Sequence, residues 1–376
     1  MSLAVPNALN AGKQALVSMT FFFLPVMLFG MGLSGLQIGI LMSVLTVVIF
    51  LSSFPIGVIN DRLSIRYVMM LGMFLESAFF FGLSFARGFP ELLLVFIVGG
   101  LGGNMVDTSI RSLVFKKAED SVRGRKLGFY QFVSSAGSGA GTLLGGTLLW
   151  LLSFNGALII SAGAFLVMGI ASLLVADTVR EKFPLRQYGR VILRKTSVLF
   201  FLPLFILGLH WGAENTSYAM FLRSSLGLDL FLSGIYMGIP IILLGVVSLS
   251  AGRLIDTKGS ARKTFILGFF LSGAGHILMT VNNVPLSFAF RLVHEVGDGL
   301  AMVSYLVIFA KMFKKESIAG ETGAASAVIL FGSALGAIVF GQVGYALGFA
   351  WPLIISGALT IASVAIILIA GKRISF

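Results

Sequence analysis

Long runs of apolar residues without a charge are the feature that most constrains this chain. Leu199–Leu209 and Ile361–Ala370 are two examples, and in each the apolar residues are continuous rather than alternating with polar ones. A helix needs ~20 apolar residues to cross ~30 Å of hydrocarbon, whereas a membrane strand shows alternating polarity over ~10 residues. The runs therefore predict an all-α membrane protein.

The composition of the 376 residues agrees with a lipid bilayer as the solvent. Hydrophobic residues make up 57% and charged residues 11%, whereas a soluble domain carries ~25% charged residues. A soluble body could not bury so much apolar surface, and a disordered chain would be far more polar. The absence of cysteine excludes a disulfide-stabilised secreted scaffold. A multi-pass protein of the cell (inner or plasma) membrane remains.

Charged, glycine-containing and proline-containing breaks divide the apolar runs into twelve predicted transmembrane helices. Arg87–Pro90 and Asn282–Pro285 are two such breaks. The polar start of the chain lacks the small-residue cleavage pattern of a signal peptide, so we expect it to be retained. The predicted helices span 14–32, 36–57, 67–86, 90–112, 127–150, 155–176, 198–221, 230–251, 264–281, 286–310, 322–347 and 350–371.

The basic residues indicate how the predicted helices are oriented. With a cytoplasmic N-terminus, 24 of the 27 lysines and arginines fall on cytoplasmic loops and helix ends, and Arg87, Arg223 and Arg291 are the exceptions. The positive-inside rule requires this bias. Both termini are therefore predicted to be cytoplasmic. No nucleic-acid partner is expected, because no soluble segment is long enough to present a basic face.

The two halves of the chain repeat each other at an offset of 195 residues. Glycine, proline and aspartate keep this register, which chance matches of apolar residues would not do. The chain is thus predicted to form two six-helix bundles, 1–177 and 197–376, joined by a cytoplasmic linker at 178–196. Parallel six-helix repeats are an architecture of secondary transporters. The matched pairs are Gly57 and Gly252, Asp61 and Asp256, Pro90 and Pro285, Gly102 and Gly297, Gly128 and Gly323, Gly137 and Gly332, Gly141 and Gly336, and Gly146 and Gly341.

The loop after the second helix resembles a signature of the major facilitator superfamily, which is Gly, three residues, Asp, a basic residue, then Gly and further basic residues. It reads Gly57-Val-Ile-Asn-Asp61-Arg62-Leu-Ser-Ile-Arg66. The loop after the eighth helix repeats the pattern with Thr257 at the first basic position. The resemblance covers the whole chain and implies two pseudo-symmetric six-helix bundles.

The resemblance also implies that the aspartate of the signature loop helps to hold the inner side of the transporter closed. The candidate gating residues of the two loops are therefore Gly57, Asp61, Arg62, Arg66, Gly252 and Asp256.

The fifth helix carries four glycines in an order similar to the antiporter motif of the same superfamily. They are Gly137, Gly141, Gly145 and Gly146, and Thr142 stands where the family pattern has proline. Glycines spaced by four residues also let two helix backbones approach closely in lipid, so a plain packing face is the alternative. The motif pattern favours a drug or metabolite:proton antiporter.

Charged side chains near the middle of a bilayer are costly, so each needs a partner or a function. The seventh helix places His210, Glu214 and Tyr218 on one face, because they are four residues apart. The tenth helix carries a second set at a similar depth, ~12–18 Å into the bilayer. The resemblance implies that helices 1, 4, 7 and 10 line a central cavity, where the two sets would meet. The second set is Arg291, His294, Glu295 and Asp298.

Carboxylates beside histidines can bind and release protons, so both sets are candidates for substrate binding and proton coupling. For Arg291 and Glu295 a structural ion pair is the alternative. On the fourth helix, Asp107 and Arg111 lie towards the inner end, which favours an inner gate. Arg111 is a candidate partner of Asp61, and a plain Asp107–Arg111 pair is the alternative.

Two further buried groups, Glu76 and His276, stand alone in their predicted helices. We expect both to be satisfied locally or peripheral.

The whole pattern predicts a secondary active transporter rather than an enzyme, because His-Glu-x-x-His, Gly-x-Ser-x-Gly and phosphate-loop motifs are absent. We expect alternating access and proton-coupled efflux of amphipathic or cationic compounds by a monomer without a cofactor. Proton-coupled uptake of a solute is one alternative. Transport of a divalent metal ion is another, since the donors suit it, but the spacing shows no metal-binding motif.

Overall fold

The computed structural model describes residues 3–33, 35–117, 123–151, 153–176, 195–313 and 318–370. Within these ranges the chain is helical and contains no strand, as the apolar runs predict. The helices are α1 Ala4–Phe21, α2 Leu24–Gly30, α3 Gly35–Arg62, α4 Ile65–Phe85, α5 Phe89–Lys117, α6 Arg123–Leu151, α7 Phe154–Ala171, α8 Lys195–Ser224, α9 Leu230–Lys258, α10 Ala261–Leu278, α11 Val284–Met312, α12 Ile318–Leu347 and α13 Ala350–Ala370. A short 3₁₀ turn, Ser172–Leu174, follows α7.

In the part of the chain that the structure describes, eight helices are long and apolar enough to cross a membrane, judged by length and composition alone. These are α3, α4, α5, α7, α9, α11, α12 and α13. The remaining long helices are α1, α6, α8 and α10. They pack against other helices, α6 between α1 and α9 and α8 between α12 and α13, where small residues permit close approach.

The first predicted span is not one continuous helix. Residues 14–32 were expected to form a single span, whereas α1 begins ten residues earlier, ends at Phe21, and is followed by the separate helix α2. The backbone N–H of Phe23 donates to the carbonyl of Thr20, a contact that tightens the end of α1. Pro25 has no N–H to continue the α-helical ladder, and this accounts for the break.

The two halves of the chain each form a set of packed helices. In the first half α1 packs against α6 and α4 against α5 and α7, and in the second half α8 packs against α12 and α13 and α10 against α11. Most of the predicted linker, 178–194, lies outside the described residues, and its last two residues belong to the start of α8. The division at 177 and 197 stays a prediction.

Two helix pairs join the halves. Helix α6 runs along α9, and the backbones approach closely where Gly139 faces Gly238 and Gly146 faces Gly234. Helix α3 runs along α12, where the rings of Phe50 and Phe331 lie 5.8 Å apart. The two pairs hold one half against the other.

The glycines of the fifth predicted span contact two different helices. A Cβ atom at Gly137, Gly141 or Gly145 would meet the backbone of Ala11, Ala15 or Met19 on α1, whereas Gly146 faces α9. The repeat-related glycines, Gly332 and Gly336 of α12, face the backbone of α8 at Phe205 and Leu209. The repeat at offset 195 therefore preserves a helix contact, and the packing role of these glycines is visible in the structure.

We predict that Gly141→Ala destabilises the protein. The added methyl group has no room against the backbone of Ala15, and overpacking a tight contact costs ~1–3 kcal/mol. Gly163→Ala on α7 is the matched control, because nothing lies within 4 Å of a Cβ atom there. Thermal unfolding of the purified protein in detergent checks the pair. Equal midpoints for the two variants would show that the α1–α6 contact is looser than described.

Candidate functional site

The central side chains of α8 form one buried face, as the sequence predicts. His210 is fully buried, Tyr218 is nearly so, and the side chain of Glu214 is 19% exposed. The phenol of Tyr218 donates to the sulfur of Met279 at 2.7 Å. Glu214 is thus the group on this face that retains access to water.

The sets predicted on the seventh and tenth spans meet around Glu214. His294 Nε2 of α11 lies 2.9 Å from Glu214 Oε1, and Arg291 Nη1 lies 3.7 Å from the same oxygen. His210 Nε2 lies 3.9 Å from it. Asp298 Oδ2 is 3.8 Å from His294 Nε2, one turn further along α11.

His276 of α10 also belongs to this site, so the expectation that it is isolated is wrong. Its Nε2 lies 3.9 Å from Glu214 Oε1, and its ring centroid lies 4.0 Å from that of His210 and 4.9 Å from that of His294. The chain contains three histidines, and all three converge here. We call the group of Glu214, His210, His276, Arg291, His294, Glu295 and Asp298 the histidine cluster.

Hydrogen bonds on the far side of each ring orient the three imidazoles. His294 Nδ1 lies 2.9 Å from the carbonyl of Ser272, which can only accept a hydrogen bond. His276 Nδ1 faces the hydroxyl of Ser356 at 3.2 Å, and His210 Nδ1 faces that of Thr360 at 3.4 Å.

Both hydroxyls already donate elsewhere, Ser356 to the carbonyl of Leu353 and Thr360 to that of Ser356. Their oxygens are left to accept, so all three Nδ1 atoms are assigned as donors. The Nε2 lone pairs of neutral His210 and His276 therefore face Glu214, whereas His294, with acceptors 2.9 Å from both ring nitrogens, donates from both and carries a positive charge in this arrangement.

The charges of the histidine cluster do not balance when the imidazoles are neutral. Glu214, Glu295 and Asp298 contribute three negative charges, and Arg291 contributes one positive charge. Arg291 forms an ion pair with Glu295 one turn away, as the sequence analysis allowed, and stacks 4.6 Å over the ring of Tyr218. The proton that His294 carries between Ser272 and Glu214 reduces the formal charge from minus two to minus one. A net negative charge is still costly at low dielectric unless a further cation enters.

Several atoms of the histidine cluster have no hydrogen-bond partner among the described residues. They are His210 Nε2, His276 Nε2, Arg291 Nη1, Glu295 Oε2 and Asp298 Oδ1. Buried polar atoms are nearly always satisfied. Arg291 Nε is a further such atom, and the two guanidinium nitrogens are donors. The imidazole nitrogens and carboxylate oxygens in the set can accept from a ligand that carries positive charge.

A second polar site lies in the first half, between α1 and α5. The carboxylate of Asp107 pairs with Lys13 Nζ at 2.8 Å and accepts from Gln14 Nε2 at 3.3 Å. Its side chain is 29% exposed, while that of Lys13 is almost fully buried. Neither Lys13 nor Gln14 was among the predicted site residues. Asp107 pairs with Lys13 of α1 rather than with Arg111, and a role of Asp107 in an inner gate stays a prediction.

Arg111 and Glu76 contact groups that the sequence did not indicate. Arg111 Nη1 donates to the hydroxyl of Ser326 on α12 at 2.9 Å, so it bridges the two halves. The carboxylate of Asp61, its expected partner, lies 3.0 Å from Lys116 Nζ. Glu76 is buried on α4 against Gly103 of α5.

The second signature loop joins the two halves at the end of the molecule where α9 ends and α6 begins, which we call the inner end. The carboxylate of Asp256 accepts hydrogen bonds from the backbone N–H groups of Gly124 at 2.8 Å and Arg125 at 2.7 Å. These are first-turn N–H groups of α6, where a carboxylate is favourably placed. Gly252 permits the approach, because a Cβ atom there would meet the backbone of Gly124.

The residues of the first signature loop contact their own half of the chain. Gly57 and Asp61 are buried on α3, and Arg62 is exposed at its end. Arg66 Nη2 donates to the hydroxyl of Tyr67 at 3.3 Å. At the same end, Arg123 Nη1 donates to the carbonyl of Ala310 at 2.9 Å, a second contact between the halves.

Comparison with known proteins assigns the family. The sequence profile of the Major Facilitator Superfamily matches residues 14–262 and 247–373. The chain belongs to the Major Facilitator Superfamily. Superfamily members are carriers rather than enzymes, so the predicted membership, the two-bundle fold class and the multi-pass membrane character are confirmed.

Curated relatives, and a solved structure described below, support this assignment. Multidrug resistance protein MdtH of Aeromonas salmonicida is 34% identical over 121 residues, which are 32% of this chain and 30% of that protein. MdtH of Cronobacter sakazakii is 34% identical over 156 residues, 39% of this chain and 38% of that protein. The match spans about a third of the length of these curated relatives.

The crystal structure of the human organic anion transporter MFSD10 (TETRAN) superposes with a TM-score of 0.78. The superposition covers 96% of this chain and 98% of that chain at 15% sequence identity, so the shared property is the superfamily fold.

Sequence reasoning missed site residues, such as His276 and Lys13, that have no second charged residue close to them along their own helix. His276 is alone on α10 and Lys13 precedes the predicted first span, so neither has a local pattern that marks it. One signal could have identified His276. Placing a histidine inside an apolar run costs free energy, and this holds for His276 as much as for the other two histidines.

Proposed function

We propose that this superfamily member exports amphipathic or cationic compounds in exchange for protons, by alternating access to a central site. The uncompensated negative charge of the histidine cluster is the observation that carries the proposal. The names of the MdtH relatives, multidrug resistance proteins, agree with an exported substrate of drug-like character. The antiporter-like order of Gly137, Gly141, Gly145 and Gly146 agrees with exchange rather than uptake.

Competition for the same carboxylates would couple the two fluxes. A proton or a cationic group of the substrate can neutralise Glu214 or Asp298, and each entering cation lowers the negative charge available to the other. Two ligands that weaken each other's binding in this way are exchanged across the membrane if the transporter changes between its inward-open and outward-open states only when one of them is bound. The partial exposure of the Glu214 side chain supports access from a cavity.

All charged and titratable groups around Glu214 enter this proposal. The helix α8 provides His210 and Tyr218, α10 provides His276, and α11 provides the rest. Arg291 holds Glu295 and stacks on Tyr218, so we assign it to positioning the carboxylates. The remaining members on α11 are His294, Glu295 and Asp298.

We predict that Glu295→Gln and Asp298→Asn each weaken proton-driven transport about tenfold or more. Each amide keeps the shape but removes a buried charge, and a charge-assisted contact contributes ~1.5–3 kcal/mol, where 1.4 kcal/mol is tenfold. Proteoliposomes with an imposed pH gradient and the fluorescent cation ethidium measure the flux. Glu91→Gln is the control, because that exposed carboxylate only accepts from the backbone of Arg87 and Gly88.

Unchanged pH dependence in both cluster variants would refute the coupling role. Accumulation of ethidium in the same direction as the proton flux would instead support a symporter.

We further propose that the inner-end contacts stabilise a state closed on the cytoplasmic side. Asp256 acts across the halves on the first turn of α6, and Arg111 and Arg123 add bonds to Ser326 and Ala310. The first loop, with Gly57, Asp61, Arg62 and Arg66, would brace its own half through the Asp61–Lys116 pair. The positive-inside bias supports placing this end, and both termini, in the cytoplasm.

We predict that Asp256→Asn shifts the protein towards inner-side opening by about tenfold, because it removes the charge from two hydrogen bonds that join the halves. The chain has no cysteine, so Ser135→Cys, whose side chain is buried on α6 against Gly245 of α9, reports opening through its rate of maleimide labelling. Asp229→Asn is the matched control, since Asp229 caps its own helix, α9. Equal labelling of the two variants would remove Asp256 from the gate.

A further inference from the structure

We propose that the histidine cluster is a binding site for a divalent transition-metal ion of the zinc type. The ligands are His210 Nε2, His294 Nε2 and one oxygen of Glu214, with Asp298 or His276 at the fourth position. This proposal goes beyond proton-coupled export and does not depend on it.

The spacing of the donor atoms fits such an ion. One donor atom from each of His210, Glu214, His294 and Asp298 can be chosen so that all four lie within 4.8 Å of one another. Distances of 2.9, 3.8 and 3.9 Å separate neighbouring donors. A tetrahedral Zn²⁺ with bonds of ~2.0–2.1 Å holds its donors about 3.4 Å apart. The widest pair of donors would have to close by about 1.4 Å, which needs a shift of about 0.7 Å at each of the two side chains.

The imidazoles already have the orientation that a metal ion requires. Metal-binding histidines typically donate the N–H of the other ring nitrogen to a carbonyl, carboxylate or similar acceptor. His294 does this with the carbonyl of Ser272, and Nδ1 of His210 and His276 faces the hydroxyls of Thr360 and Ser356, which are able to accept. The Nε2 atoms of His210 and His276 are buried and have no hydrogen-bond partner. Their lone pairs converge on the carboxylate of Glu214.

The charge of the site also suits a divalent ion. A metal ion at Nε2 of His294 displaces the proton between that atom and Glu214; three carboxylates and one guanidinium then leave a formal charge of minus two, which a single divalent cation neutralises. Arg291 Nη1 lies 3.7 Å from the ligand oxygen of Glu214, but its closer carboxylate is Glu295 and its guanidinium carbon lies 4.6 Å from the ring centroid of Tyr218. Nitrogen-rich sites of mixed imidazole and carboxylate favour zinc, cobalt and nickel over magnesium and calcium.

The test uses the purified full chain without a histidine tag, in detergent. All histidines of the chain lie in the cluster and cysteine is absent, so binding of a borderline metal reports on this site. We expect calorimetry to show one Zn²⁺ per chain and Co²⁺ to develop the visible absorption of tetrahedral coordination. Neither signal is expected with Mg²⁺ or Ca²⁺.

His294→Ala and Glu214→Gln should each weaken Zn²⁺ binding at least tenfold, whereas Asp107→Asn, a change at the other polar site, should leave it unchanged. Two different ligand substitutions keep the test decisive if one of them fails to fold. Absence of saturable Zn²⁺ binding, or equal affinity in the parent and a folded ligand variant, would overturn the proposal. Because binding is measured without a gradient, this outcome is separate from loss of proton-driven export.

Discussion

The cost of placing charge inside a bilayer is the constraint on which the rest of this structure depends. Helices α8, α10 and α11 each carry histidine or carboxylate side chains that are wholly or mostly buried, and they are compatible with the membrane because they bring those groups together. One ion pair, Arg291 with Glu295, removes part of the charge. The remainder defines a site that attracts cations, and both proposals about function follow from this imbalance.

Close backbone packing makes the arrangement possible and also limits how it can move. Glycines bring α6 against both α1 and α9, and the repeat places α12 against α8 in the same way. Without a hydrophobic force between helices in lipid, such contacts supply much of the association energy. The bonds from Asp256 to the first turn of α6 can break without unpacking a core, which suits a contact that must be released in each transport cycle.

The sequence alone predicted the helical class, the repeat and most of the charged site, because periodicity and charge cost are local properties. The i, i+4 spacing identified His210 and Glu214, and the register at offset 195 identified Asp256. His276 and Lys13 were missed because their partners lie on other helices. The contact of Arg111 with Ser326 depends on tertiary packing, which no local pattern reports. The break after Phe21 was missed although Pro25 is a local signal for it.

The central claim is that the carboxylate of Glu214 exchanges protons for a cationic substrate. Calorimetry of ethidium binding in two buffers of different ionisation enthalpy counts the protons released by the purified protein. The account predicts proton release by the parent chain and its loss in Glu214→Gln, with Asp107→Asn behaving as the parent. Identical release by the parent and Glu214→Gln would contradict the claim.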